Sequence, residues 1–129
     1  MLVNSPAESA SEFAPHFVSQ IQPWHPESPE LEQAYRLRFE VYCLDCGFLD
    51  AAHYAQPRET DAYDADSTHA FAYNLGGDLV GYVRLVHYSA QRRFPWQLHC
   101  RELFPDVKLP DGASSAEVSR LMVRRDYRR

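Results

Sequence analysis

Apolar residues along this chain change their period several times, and each change marks an element. Between Phe17 and Gln22 apolar and polar side chains alternate, bounded by Pro15 and Pro23, which predicts a first strand. Ser28-Pro29-Glu30 then combines a capping serine, a proline at the first helical position and an acid in the first turn. From there Leu31, Ala34, Leu37, Val41, Leu44 and Phe48 recur at steps of three and four, so the spacing predicts one amphipathic helix with a single apolar face, capped near Gly47. Arg38 and Tyr42, one turn apart, stand at the edge of that stripe, where by themselves they read as ordinary surface packing.

Residues 50–67 are polar and acidic, with Glu59, Asp61, Asp64 and Asp66 close together. Alternation returns from His69 to Leu75 and again from Leu79 to Tyr88, around Gly76-Gly77-Asp78, the pattern of a hairpin closed by a glycine-rich turn. Arg84 falls in mid-strand on the face of Val80, Tyr82 and Val86, where a charge needs a partner. Residues 89–115 form a long connection broken by Pro95, Pro105 and Pro110, with a short helix expected over Trp96–Phe104; connections of this length tend to be lids or substrate walls. The last alternating run, Ala116–Val123, places Glu117, Ser119, Leu121 and Val123 on one face and Val118, Arg120 and Met122 on the other, so only a bulge would let Glu117 and Arg120 work together.

Composition narrows the class. At 129 residues with 45% hydrophobic content the chain can bury a real core, so it is globular, and the first fifteen residues carry neither a basic n-region nor an apolar run, which excludes a signal peptide or membrane span there. A cytoplasmic protein with a flexible terminus over 1–15 and one domain over 16–129 is expected. The net charge of −5 argues against a dedicated nucleic-acid binder, although Arg124, Arg125, Arg128 and Arg129 make a local positive end suited to an anionic ligand. No membrane insertion is expected. Cys43 and Cys46 form a CxxC and His99 precedes Cys100, but the pair lies near the C-terminal end of the helix, where the dipole opposes a thiolate, and adjacent ligands fit zinc poorly. Reduced, buried or half-buried thiols and no metal are the expectation. Calcium fails likewise, since no EF-hand register follows Asp61. There is no internal repeat.

The charges carry the functional argument. Arg38, Arg84 and Arg120 fall within regular elements, while Glu59, Asp61, Asp64 and Glu117 fall on a loop or in a strand. Joined into one buried network they would gain little stability, because desolvation costs several kcal/mol per ion, so the network would serve to position a polar substrate. A carboxylate left unmatched would be free to act as a base.

The residues Arg38, Tyr42 and Phe48 in R-L-R-F-E-V-Y-C-L-D-C-G-F, Glu59, Asp61 and Asp64 in E-T-D-A-Y-D, Arg84 in V-G-Y-V-R-L-V, and E-V-S-R at 117–120 resemble the acyl-homoserine lactone synthases. Residues 35–129 resemble more closely the PEP-CTERM/exosortase system-associated acyltransferases, which share an element like Leu98-His99-Cys100. Both are GNAT-like N-acyltransferases, with N-acyl amino acid synthases as neighbours. Tyr42 and Phe48 depart from the phenylalanine and tryptophan of the lactone synthases. The resemblance implies an α/β (α+β) fold with a central, mostly antiparallel sheet, of which this chain would supply the first half, the N-terminal part of a single GNAT-like domain truncated before the acyl-donor loop. It implies transfer of a fatty acyl group to the amine of a small molecule such as an amino acid. The donor would be the acyl-phosphopantetheine of an acyl carrier protein, or acyl-CoA, acting as co-substrate with no permanently bound cofactor. Glu117, with Arg120 and Arg38, would be catalytic; Glu59, Asp61, Asp64, Arg84, Tyr42 and Phe48 would bind substrate; Arg124, Arg125, Arg128 and Arg129 would meet the donor or its carrier protein. The alternatives are a lactone synthase proper, and an inactive or regulatory fragment without a donor site.

Overall fold

The computed structural model describes residues 16–128. The expected flexible terminus over 1–15, and Arg129, lie outside the described residues. Four strands form one antiparallel sheet in sequence order, β1 (Phe17–Pro23), β2 (Ser67–Asn74), β3 (Leu79–His87) and β4 (Ala116–Val123). The helix α1 (Pro29–Phe39) lies across one face of it. Its start follows the capping logic of the sequence: the Ser28 hydroxyl accepts from the Leu31 N–H at 3.2 Å, and Pro29 stands where its missing N–H costs nothing.

The core forms where the two layers meet. Leu31, Ala34, Tyr35, Leu37 and Val41 pack against Phe71, Leu79, Tyr82 and Met122. The apolar stripe does not run on as one α-helix, however. Glu40–Asp45 is a π-helical segment, in which the Cys46 N–H reaches the Val41 carbonyl at 2.9 Å. One extra residue in the turn rotates the residues downstream of it by about 100°. Cys43 is therefore buried, while Leu44 and Phe48, expected on the apolar face, are 63% and 72% exposed. Gly47 ends the segment as expected, at φ 65°, and the Phe48 N–H returns to the Tyr42 carbonyl at 2.8 Å. The thiols divide as buried Cys43, exposed Cys46 and half-buried Cys100, all free. Cys46 thus departs from the expected burial, because it follows the widened turn.

The β2–β3 hairpin closes through Asn74, whose carbonyl accepts from Gly77 at φ 87°. Between β3 and β4 the register slips: Tyr82 faces Met122 and Arg84 faces Ser119, so Arg120 and Leu121 together oppose Val83. This bulge is the one that the separation of Glu117 and Arg120 required. It also corrects the expected faces, since Ser119 and Arg120 both turn inward with Glu117 and Met122, while Val118, Leu121 and Val123 turn outward. In the connection, helix α2 is shorter than expected, Pro95–His99, followed by a 3₁₀ turn at Arg101–Leu103. Among the described residues no helix is long and apolar enough to cross a membrane.

Phe71→Ala is expected to cost roughly 3–5 kcal/mol in urea unfolding, whereas Leu44→Ala, outside the core after the π-helical segment, stays within about 0.5 kcal/mol; equal losses would mean that the apolar stripe runs straight through.

Candidate functional site

Three arginines arrive from three elements: Arg38 from α1, Arg84 from β3 and Arg120 from the β4 bulge. The carboxylates come from the acidic loop, which is folded for the purpose. The Glu59 N–H bonds the Tyr35 carbonyl at 2.9 Å and moors the loop to the helix. The Asp61 side chain accepts from the Tyr63 N–H and the Asp64 side chain from the Asp61 N–H, each at 2.9 Å, an arrangement that short polar side chains form with nearby backbone.

The six charges close into an alternating ring. Arg38 Nε donates to Glu59 at 2.9 Å; Glu59 accepts from Arg120 Nε at 2.8 Å; Arg120 Nη2 donates to Asp61 at 3.2 Å. Arg84 Nη1 bridges Asp61 at 2.5 Å and Asp64 at 2.9 Å, and Asp64 returns to Arg38 Nη1 at 2.5 Å. Arg38 and Arg84 are wholly buried, which corrects the surface-packing reading of Arg38. Three positive and three negative groups cancel. Burial pushes the Glu59 carboxyl up, but the hydrogen bonds and charges of Arg38 and Arg120 hold it below its ordinary 4.5. Asp61 is likewise held below 3.8 against burial, chiefly by Arg84. Burial opposes the charge on Arg38 and Arg120, yet their carboxylate partners raise both. Arg38 Nη2 and Arg84 Nε remain without a protein partner among the described residues.

Arg120 takes a left-handed backbone conformation, φ 57°, unusual for a residue with a side chain. The bulge imposes it, and the two carboxylates Glu59 and Asp61 hold the side chain that results. Beneath the ring lie residues that sequence reasoning did not single out. His69 Nε2 is 3.0 Å from the Asp64 carbonyl, which can only accept, so Nε2 carries the proton and bare Nδ1 accepts from the Tyr82 hydroxyl at 2.6 Å. Burial lowers the His69 pKa below 6.5 and raises that of Tyr82. The Ser119 hydroxyl accepts from Arg84 Nη2 at 2.9 Å. The inward parity of His69 with Phe71 on β2 was the available signal.

Glu117 is not part of the ring, which contains three carboxylates rather than four. It accepts from the Trp96 N–H at 2.8 Å, one step along β4 from Ser119, and borders an apolar cavity of about 200 Å³ walled by Phe94, Trp96, Leu109 and Pro110. Tyr42 carries the Arg120 guanidinium over its ring at 5.2 Å and meets Phe48 edge-on at 5.8 Å. Of the terminal arginines, Arg124 is matched by Asp126 at 2.7 Å and Arg128 by Asp45 at 2.7 Å, whereas Arg125 is exposed without an ion partner among the described residues. Arg124 and Arg125 border an open groove with Glu40 and Asp126.

Residues 37–129 match the acetyltransferase (GNAT) domain family. No curated protein matches the chain. Among solved structures, TofI in a ternary complex with an inhibitor and MTA is similar with a TM-score of 0.66 and 19% identity, over 81% of this chain and 56% of TofI. The AHL synthase LasI is similar with a TM-score of 0.62 and 20% identity, over 84% of this chain and 54% of LasI. The chain thus spans little more than half the length of these structures, and at such identities the likeness is one of fold.

The ring yields a pH dependence. Groups whose folded pKa is depressed stabilise the fold above their unfolded pKa and lose that contribution as pH falls toward the folded one. Neutral, buried His69 therefore starts the loss of stability below about 6.5, and Glu59 and Asp61 continue it below about 4.5. His69→Gln should remove the upper phase from a plot of unfolding free energy against pH; an unchanged profile would place the upper titration elsewhere. Arg38→Met, which leaves buried Glu59 and Asp64 with one arginine each and the ring one positive charge short, is expected to cost roughly 3–5 kcal/mol.

Proposed function

The chain belongs to the acetyltransferase (GNAT) domain family, and we propose that within it this domain serves transfer of a fatty acyl group from a carrier-protein or CoA thioester to the amine of a small molecule. The observation that carries the reading is the division of labour on β4: Arg120 and Ser119 engage the ring while Glu117, on the same inward face, stays outside it. A carboxylate matched by arginines is a poor base, because its charge is already stabilised. Among the described residues Glu117 has only the Trp96 N–H as partner, and it borders a cavity.

In the reaction the amine nitrogen attacks the thioester carbonyl while Glu117 takes the amine proton, directly or through water. The new C–N bond forms, the C–S bond breaks, and the thiol leaves with a proton. Negative charge on the carbonyl oxygen in the tetrahedral stage needs aimed donors, and the bulge at Arg120–Leu121 releases backbone from the β3–β4 ladder where such a donor is wanted. The ring holds that bulge and thereby the spacing between the donor and Glu117. Tyr42 and Phe48 wall the entry, and Arg124 and Arg125 flank the groove where an acidic carrier or a phosphate of the donor would lie. In the sequence Arg128 and Arg129 continue the same basic run. The reading takes in the resemblance of residues 35–129 to the PEP-CTERM-associated acyltransferases, with N-acyl amino acid synthases as neighbours, and a cytoplasmic site of action.

A second reading, a lactone synthase proper, is favoured by the structural likeness to LasI, named as an AHL synthase, and by the aromatic pair Tyr42–Phe48 beside Arg120. Mass spectrometry of products from acyl-carrier protein or acyl-CoA, supplied with amino acids in one reaction and S-adenosylmethionine in another, separates them: an open amide supports the first, a cyclic lactone the second. Absence of both products would leave the chain without turnover, as an inactive or regulatory form of the fold.

Glu117→Gln is expected to lower turnover about 10²–10⁴-fold with donor KM nearly unchanged in steady-state kinetics; comparable losses in both would reduce Glu117 to the helix-capping contact it makes with Trp96.

A further inference from the structure

The connection between β3 and β4 holds two cavities side by side, with Phe94, Gln97 and Gly112 as their common wall. Gly112 packs against the Tyr88 ring, which a Cβ there would meet at 3.3 Å. The first cavity, the apolar one of about 200 Å³, has Glu117 at its edge. At about 30 Å³ for each water-sized group it holds roughly six or seven non-hydrogen atoms, too few for a long acyl chain. The second, about 270 Å³, is polar and contains Ser89, Arg92 and Arg93.

The two arginines differ in what they can do. Arg92 is neutralised by Asp66 at 2.8 Å. Arg93 is anchored through its main chain, its carbonyl accepting from the Tyr63 hydroxyl at 2.7 Å, and its guanidinium has no partner among the described residues. The ring offers an anion no net positive charge, because its three guanidiniums are balanced by three carboxylates. The two adjoining cavities thus carry a carboxylate at the edge of the apolar one and, in the polar one, an exposed arginine without an ion partner among the described residues.

We propose that together they form a groove that binds an amine whose anionic group sits at the far end of a short apolar spacer, an ω-amino acid rather than an α-amino acid. The amine meets Glu117, the spacer fills the slot beside Trp96, and the anion reaches Arg93. An α-amino acid puts both charges on one carbon, whereas Glu117 and Arg93 line different cavities. That this ligand is the acyl acceptor rests on the acyltransferase reading above; that the groove binds it does not.

Trp24→Phe leaves Trp96 as the sole tryptophan of the chain, a reporter within the slot. Titration of that protein with 6-aminohexanoate is expected to give a saturable fluorescence change. Its isomer L-norleucine and the uncharged-end analogue hexylamine should each bind at least tenfold more weakly. Arg93→Gln should abolish the advantage of 6-aminohexanoate over hexylamine while leaving hexylamine affinity unchanged, a selectivity that a merely destabilised fold would not produce. Equal binding of norleucine overturns the proposed order of groups, and equal binding of hexylamine overturns the role of Arg93. A response to octanoate alone gives the slot to an acyl chain, and no response from a protein folded by circular dichroism removes the site. Mass spectrometry with an acyl thioester then separates the two readings. Selective binding without acylation of 6-aminohexanoate upholds the groove and fails the acceptor assignment, and acylation of other amines with Trp96 silent upholds the enzyme and fails the groove.

Discussion

The alternating ring of Arg38, Glu59, Arg120, Asp61, Arg84 and Asp64 is where the helix, the acidic loop, β3 and β4 meet, and each of these pieces is held by the others through it. Taking an ion out of water costs several kcal/mol, and a single buried pair seldom recovers it. Closure changes the balance, because every group in the ring faces two of opposite sign and no charge is left unmatched. The acidic loop, which has little apolar content of its own, is ordered by these bonds and by the Glu59–Tyr35 backbone contact. The same closure leaves no net charge within the ring, which acts as a frame for the elements it joins.

Frame and bulge depend on each other. A residue with a side chain at φ 57° is held there at a cost of order 1–3 kcal/mol, and the Glu59 and Asp61 contacts to Arg120 offset it. In return the bulge brings Ser119 and Arg120 onto one face together, which regular alternation forbids. Glu117 shares that face but is drawn to the Trp96 N–H, away from the arginines. The matched carboxylates thus come from the acidic loop and the unmatched one from β4, ahead of the bulge. His69 and Tyr82 extend the frame downward, tying the Asp64 backbone to the core.

On the far side of Glu117 the connection between β3 and β4 is a wall rather than a spacer. Its short helix, Pro95–His99, offers a backbone N–H to Glu117 and stacks Trp96 on Phe104 at 6.3 Å, and Arg93, just ahead of that helix, lines the adjoining cavity. Long connections in compact domains are seldom idle. Here the selectivity of the site would be written in side chains of the connection, while the frame that supports Glu117 stays the same.

Local chemistry decided much of this without help. Ser28-Pro29-Glu30 starts the helix, Gly47 ends it, and the alternation around Gly76-Gly77 makes the hairpin, since caps, turns and strand parity depend on neighbours along the chain. A charge in the middle of an apolar strand face, Arg84, announced that partners were needed, and the count of arginines and acids indicated a network with a carboxylate to spare. The tertiary structure decided what periodicity cannot carry. The π-helical segment that exposes Leu44 and Phe48 is a register change invisible to a steady three-and-four spacing. The bulge at Arg120 depends on how β4 meets β3, so the faces assigned by simple alternation from Glu117 are exchanged from Arg120 to Val123. Arg38 read as surface because its partners lie 21 and 26 residues away. Which carboxylate was spare, and what wall it faced, emerged only once the acidic loop, the bulged strand and the long connection were folded against one another, because electrostatic matching depends on distance in space and not on spacing in the chain.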